Sequence, residues 1–332
     1  RQDPAPLSRR ITHPKVRFAI VGAGATGGFL GAHLARSGEE VTLIARGSHL
    51  TAMRERGVTV RSGGEEFTAH PECTDDIAAI GGAEAVFLTL KAHAIPALAP
   101  AIGANLAPNA CVISAQNGIP WWYFPDRSLE SVDPGGVIAG SIPYPSVVGC
   151  IVYSATQIIE PGVIEHVEGN RFTLGEPDGS RSERVQAIAA ALVGAGLKAP
   201  IQERIRNEIW LKLLGNATLN PVSALTRATL QQIVTSAATH DLVRTLMEEV
   251  DSVARALGVE VGLSIEKRME GAAGVGGHKT SMLQDLEAGR PLEIEALLGA
   301  VVELARREGV AVPSLTALYG LTKLLDEASR SR

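Results

Sequence analysis

The sequence predicts an α/β domain followed by an all-α domain, and three features carry this reading. Between Val16 and about Gln202, short runs rich in β-branched residues alternate with helical segments, the pattern of a parallel sheet flanked by helices. Beyond Glu203 strand signals nearly vanish, and residues 204–326 carry a helical apolar period instead. A glycine motif, Gly22-x-Gly24-x-x-Gly27, joins the first run to the first helix. The expected division is a flexible tail over 1–15, an α/β domain over 16–203 and a helical domain over 204–332.

Taken in order, the candidate strands of the parallel sheet are VRFAIV, EVTLIA, EAVFLTL, NACVISA and GGVIAGSI. The segments VGCIVYSATQIIEPG, VIEHVEG and RFTLGEP, richer in turns, predict antiparallel strands that complete the sheet. In the second half, HDLVRTLMEEVDSVARALG and IEALLGAVVELARREG predict amphipathic helices, each closed by a glycine at its C-terminus.

Composition narrows the function classes. A net charge of −5 with scattered Lys and Arg gives no footprint for nucleic acid or an anionic membrane. No run of about 18 apolar residues marks a membrane span, and the opening RQDPAPLSRRITHPK lacks the apolar stretch of a signal peptide. Cys73, Cys111 and Cys150 are odd in number, far apart and in no metal-ligand spacing. They suit a reducing, cytoplasmic setting with no metal site.

The glycine motif follows an apolar strand and opens a helix, which is the context of a Rossmann-type dinucleotide site. Gly22 permits a tight turn, Gly24 lets the backbone approach a pyrophosphate and Gly27 lets the helix pack on the strand. Ala25 and Thr26 fall at the helix N-terminus that faces the anion. Where NAD-binding folds carry an acidic residue after the second strand, this chain has Ala45-Arg46-Gly47-Ser48. A guanidinium there points to NADPH, because it can bond the 2′-phosphate. Lys91 in TLKAHAI and Asn117 in SAQNGIP fall at later strand ends, the ligand-binding edge of such sheets. Asn117 suits either the nicotinamide ribose or a substrate, and Lys91 suits either the cofactor or a helix start.

The second candidate site lies in EIWLKLLGNATLNP, read as one helix buried over most of its circumference. Lys212, Asn216 and Asn220 then stand at i, i+4 and i+8 and form one polar stripe. A lysine beside a desolvated carbonyl stabilises the developing alkoxide and donates a proton, with burial lowering its pKa toward a useful range. The asparagines would donate to substrate oxygens; the alternative is that Lys212 snorkels from a half-buried helix while Asn216 and Asn220 satisfy neighbouring backbone. In TSMLQDLEAGRPLEIEAL, Glu293 shares a face with Ala296, Leu297, Ala300, Val301 and Leu304, so it is expected to be buried, bound to a substrate hydroxyl, paired with Lys212 or, equally, in a salt bridge to another side chain. Ser281 reads as the N-cap of a capping box with Gln284, and as a carboxylate site.

The segments IVGAGATGG, LIARG, TLKAH, QNG, RNEIWLKLLGNATLNPVSAL, TSMLQDLEAGRPLEIEAL and GVAVPSLTAL occur together and in order. In these the chain resembles the ketopantoate reductase (2-dehydropantoate 2-reductase) family from about Val16 to Asp326. The resemblance implies a C-terminal domain like that of 6-phosphogluconate dehydrogenase, and NADPH-dependent reduction of ketopantoate to (R)-pantoate on the way to pantothenate and coenzyme A. It implies Lys212 as general acid with Glu293 assisting. It also implies Asn117, Asn216, Asn220 and Ser281 at the substrate, and Arg46 at the 2′-phosphate. A small-molecule 2-keto acid is the expected partner, and a homodimer is allowed. Two segments depart from the family pattern. His278 stands where some members carry a substrate-binding asparagine, and IPWWYFPD is an unusual aromatic run. The alternatives are a paralogue acting on another 2-keto or hydroxy acid, and a non-enzymatic NADPH sensor. The aromatic run would either shape a different pocket or serve as a hydrophobic plug or subunit contact.

Overall fold

The computed structural model describes residues 15–277 and 279–330. The expected tail, but for Lys15, and His278 lie outside the described residues. The chain forms two compact units. The first holds residues up to Leu90, Ala101–Ala115 and Ser146–Glu203; the second holds Lys91–Pro100, Gln116–Pro145 and Arg204 onward. A single cut at residue 203 therefore misses two excursions, made where the chain leaves the strands at Leu90 and Ala115.

In the first unit the elements are β1 (Arg17–Val21), α1 (Ala25–Ser37), β2 (Glu40–Ile44), α2 (Gly47–Arg56), β3 (Val58–Ser62), β4 (Glu65–Ala69), β5 (Glu72–Thr74) and β6 (Ala85–Leu88). Helix α3 (Ile95–Asn105) is divided between the units at Pro100 and is followed by β7 (Cys111–Ser114). After α4 (Val137–Ser141) of the second unit come β8 (Val147–Glu160), β9 (Val163–Gly175) and α5 (Glu183–Gly194).

One nine-stranded sheet runs β4-β3-β9-β8-β7-β6-β1-β2-β5. From β8 to β5 neighbours are parallel, whereas β8–β9 and β3–β4 are antiparallel. The order turns back between β1 and β6, the topological switch point where doubly wound sheets bind ligands. Strands β6 and β7 are buried at every position, which explains why they are apolar but for Ser114. Phe18, Ile20, Phe29, Leu30, Leu43 and Phe87 join the sheet to α1 in a core with almost no exposure.

The reading of GGVIAGSI as a strand is incorrect. Gly135 and Gly136 both take positive φ, and residues 137–141 form the short α4 instead. The buried carboxylate of Asp133 accepts the amides of Ile138 and Ala139 at 2.7 and 3.0 Å, which favours a helical first turn over a strand. Strands β3 to β5 were missed. Their hairpin turns on Gly63-Gly64, both at positive φ, which suits a two-residue turn between twisted strands.

The second unit is helical: α6 (Ile205–Asn216), α7 (Leu219–Thr226), α8 (Leu230–Thr235), α9 (His240–Ala256), α10 (Ile265–Gly274), α11 (Ser281–Glu287), α12 (Ala300–Glu308) and α13 (Pro313–Arg330). Helix α9 buries Val243, Leu246, Met247, Val250, Val253 and Ala254 on one stripe and packs on α6, α12 and α13. EIWLKLLGNATLNP is not one helix, since α6 ends at Asn216 and α7 begins at Leu219. Thr218 Oγ1 donates to the Leu214 carbonyl at 2.8 Å, a back-bond that accompanies bends. The stripe thus keeps Lys212 and Asn216 on α6, while Asn220 belongs to α7.

Candidate active site

In the first unit the chain passes from β1 through Gly22, at φ +96°, to α1, whose N-cap is Gly24. A side chain at Gly22 would meet Leu90 at 2.8 Å, and one at Gly27 would collide with Thr89 Oγ1 and the Gly22 carbonyl. Those two glycines are required by packing within the protein. Gly24 differs, because a Cβ there would meet nothing closer than the Gly22 carbonyl at 3.9 Å. Its openness leaves room for a ligand to approach the backbone. No acidic residue stands in the first turn of α1, so the amides near Ala25 and Thr26 present an uncompensated positive end. Arg46 is the exposed N-cap residue of α2. These residues fit a dinucleotide. Sequence reasoning missed His49, one turn further along α2, whose Nδ1 accepts the Gly162 amide at 3.0 Å and whose pKa is lowered by burial.

The second unit gathers most of the other predicted residues. Lys212 Nζ donates to Asn117 Oδ1 at 2.7 Å. The loop carrying Asn117 is fixed beyond it: Gly118, at φ +87°, lies so close to Ala296 that a Cβ would strike its carbonyl, and the Ile119 amide donates to that carbonyl at 2.9 Å. Ala296 belongs to a π-helical turn, Glu295–Gly299, that starts two residues after Glu293. A π-turn inserted before a helix shifts the face it presents and is frequent at functional sites.

Glu293 is 7% exposed, as expected, and it pairs with Lys91. Lys91 Nζ donates to Glu293 Oε2 at 2.9 Å and to Asp285 Oδ2 at 2.7 Å, and the Ala92 amide reaches Glu293 Oε1 at 3.2 Å. Burial alone would lower the Lys91 pKa, but the two carboxylates and their hydrogen bonds outweigh it and raise it. Lys91 is therefore a charged strut between two buried acids. Asp285 was not singled out from the sequence; a carboxylate set among Met282, Leu283 and Leu286 was the signal.

Asn216 is half-buried and Asn220 is 6% exposed. Ser281 is not the N-cap: Thr280 caps α11 by accepting the Leu283 amide at 3.2 Å, and Ser281 is the exposed first helical residue. The side chain of Gln284 donates to the Lys279 carbonyl, so the expected capping box does not form around Ser281. The aromatic run is interior packing of the second unit. Trp121, Trp122 and Tyr123 are at most 5% exposed, Trp210 Nε1 donates to Tyr123 Oη at 2.7 Å, and Arg206 donates to the Tyr123 carbonyl. Among the described residues no group of three or more His, Cys, Asp or Glu could hold a metal.

A parallel sheet with a glycine loop at its switch point and a lysine–asparagine pair in a helical unit define an oxidoreductase of nicotinamide dinucleotides. Comparison with known proteins specifies the class. Residues 18–179 match the family described as ketopantoate reductase PanE/ApbA, and residues 204–326 match its C-terminal model. The chain belongs to the ketopantoate reductase family. It is 44% identical to a 2-dehydropantoate 2-reductase of Mesorhizobium japonicum over 93% of this chain and 98% of the relative. A Halobacterium salinarum 2-dehydropantoate 2-reductase is 30% identical, with 93% and 98% covered. The crystal structure of a PanE/ApbA family ketopantoate reductase from Ralstonia eutropha superposes with a TM-score of 0.84 at 28% identity, covering 95% of this chain and 99% of that one.

Proposed function

We propose that this chain reduces the 2-keto group of 2-dehydropantoate to (R)-pantoate with NADPH. The observation that carries the mechanism is the Lys212–Asn117 hydrogen bond of 2.7 Å on a loop clamped to the Glu293 segment. An ammonium has three donors. Asn117 accepts one and thereby fixes the ammonium where it would meet the carbonyl oxygen of the substrate. When bound, the nicotinamide supplies the hydride. Lys212 stabilises the charge that develops on the oxygen and gives it the proton.

Glu293, paired with Lys91, would accept a hydrogen bond from a substrate hydroxyl. Asn216, Asn220 and Ser281 complete the proposed substrate contacts. Gly22, Gly24, Ala25, Thr26 and Gly27 would hold the pyrophosphate, and Arg46 the 2′-phosphate that distinguishes NADPH from NADH. In this reading Lys91 contributes to the cofactor site by holding its surroundings, with Asn117 shared between ribose and substrate. The protein would act as a homodimer in the cytoplasm, a reading supported by exposed Leu321 and Leu324 one turn apart on α13 and by three free thiols.

The test follows NADPH oxidation by the purified protein against 2-dehydropantoate and a panel of other 2-keto acids. Fastest turnover of 2-dehydropantoate supports the proposal. Preference for another 2-keto acid would indicate a paralogue, and tight NADPH binding without turnover on any of them would indicate a sensor.

A further inference from the structure

The π-turn at Glu295–Gly299 is gripped from α13 through the side chain of its first residue. Tyr319 Oη donates to Glu295, standing 3.0 and 2.9 Å from its two carboxylate oxygens. Lys323 Nζ lies 3.0 Å from Oε1 of the same carboxylate and donates to Tyr319 Oη at 3.3 Å. The half-exposed ion pair would hold little by itself. A hydroxyl set across both oxygens fixes the direction of the carboxylate as well as its charge. Tyr319 and Lys323 are four residues apart and so project from one face of α13.

The seat of this carboxylate is cut into the turn itself. Gly299 has ordinary right-handed helical backbone, with φ −55° and ψ −47°, so no unusual dihedral calls for a glycine there. Space does. A Cβ would lie 2.2 Å from Glu295 Oε2 and 3.4 Å from the Tyr319 ring. Glu295 thus lies back along its own turn, in the room left at position 299, and is tied there to α13. One residue on, the Ala296 carbonyl accepts the Ile119 amide at 2.9 Å and lies against Gly118. Asn117, the next residue of that loop, accepts from Lys212 Nζ. All of these residues belong to the second unit.

Resting on the proposed role of Lys212 as proton donor, we infer that Glu295 and Tyr319 are positioning residues for the reaction. By fixing the π-turn they fix the Ala296 carbonyl, and through it the loop that holds Asn117 against the lysine. Their effect passes through backbone atoms of the second unit. It falls on turnover more than on cofactor binding, whose proposed residues belong largely to the first unit.

The test measures kcat and KM with 2-dehydropantoate, NADPH affinity and thermal unfolding for Glu295→Ala, Tyr319→Phe and Gly299→Ala. The last displaces an intact carboxylate from its seat. Each should lower kcat by roughly tenfold to a hundredfold, the range for misplacing a reacting group by about 1 Å, with NADPH affinity within about threefold of wild type. The proteins should be fully folded at the assay temperature. Glu295→Gln, which keeps an acceptor for the Tyr319 hydroxyl, should recover most of the loss. Because the path runs through Asn117, Glu295→Ala should cost less than about twofold further in Asn117→Ala protein. Full additivity of that pair, wild-type kcat in folded Glu295→Ala and Gly299→Ala, or equal losses of turnover and NADPH affinity overturns the positioning role and leaves the proposed reduction standing. If Asn117→Ala is inactive, the split between kcat and NADPH affinity decides; if Glu295→Ala does not fold, Gly299→Ala and Tyr319→Phe decide. A wild type that reduces no 2-keto acid overturns the functional reading and this role with it.

Discussion

At the residue scale, the division of labour follows charge. Lys91 and Lys212 are both lysines beside polar partners, yet their surroundings differ in kind. Two carboxylates hold Lys91, whereas Lys212 donates to the neutral Asn117. An ammonium clamped by two anions is a poor proton donor, and its raised pKa says so. Arg46 is the residue on which cofactor choice turns. Its replacement by alanine should weaken NADPH binding by roughly tenfold to a hundredfold and leave NADH binding nearly unchanged, as titration calorimetry with each cofactor would measure. Equal losses for both would remove the 2′-phosphate role. Glu293 and Lys212 stood out in the sequence because a polar residue in an apolar segment needs a reason, and Asn117 because it follows a strand at the ligand-binding edge. The strut formed by Lys91 and Asp285 did not, because its members lie 194 positions apart and no local pattern relates them.

At the element scale, the three glycines of the first loop do different work. Gly24→Val should leave folding intact, since its side chain projects into open space, and should abolish NADPH binding by filling the approach path to the backbone. Calorimetry with a parallel unfolding curve measures both, and normal NADPH affinity would reduce the loop to a structural turn. The strand–glycine–helix start was legible because its chemistry is local. The α4 segment was not, because GGVIAGSI has strand-like composition and only Asp133 together with two left-handed glycines makes it helical. Similarly, the polar stripe was legible as far as Asn216, but the helix break at Ala217–Thr218 was overlooked although Gly215 precedes it and Pro221 stands in the first turn of α7. The π-turn after Glu293 was invisible, since the apolar period runs through it.

At the scale of the whole molecule, titration and function both bear on the two units. Burial lowers the pKa of His33 and His49 in the first unit and of His93 in the second below the ordinary 6.5. The unfolded chain therefore binds protons more readily than the folded one as pH falls through 6.5. Stability should be full above that pH and decline below it. Thermal unfolding from pH 7.5 to 5 should show falling transition temperatures, with a shallower fall when His33 and His49 are both replaced by glutamine. A flat profile would contradict the burial of neutral imidazoles. The residues proposed to hold the cofactor belong largely to the first unit and the proposed proton donor to the second, so binding and turnover should be separable by mutation. The most direct measurement is turnover and NADPH affinity of Lys212→Ala beside wild type, with 2-dehydropantoate as substrate and cooperative unfolding as control. The proposed mechanism predicts kcat lower by roughly two to four orders of magnitude, the range of a general acid, with NADPH affinity within a few-fold. A well-folded Lys212→Ala protein that turns over near the wild-type rate would contradict it.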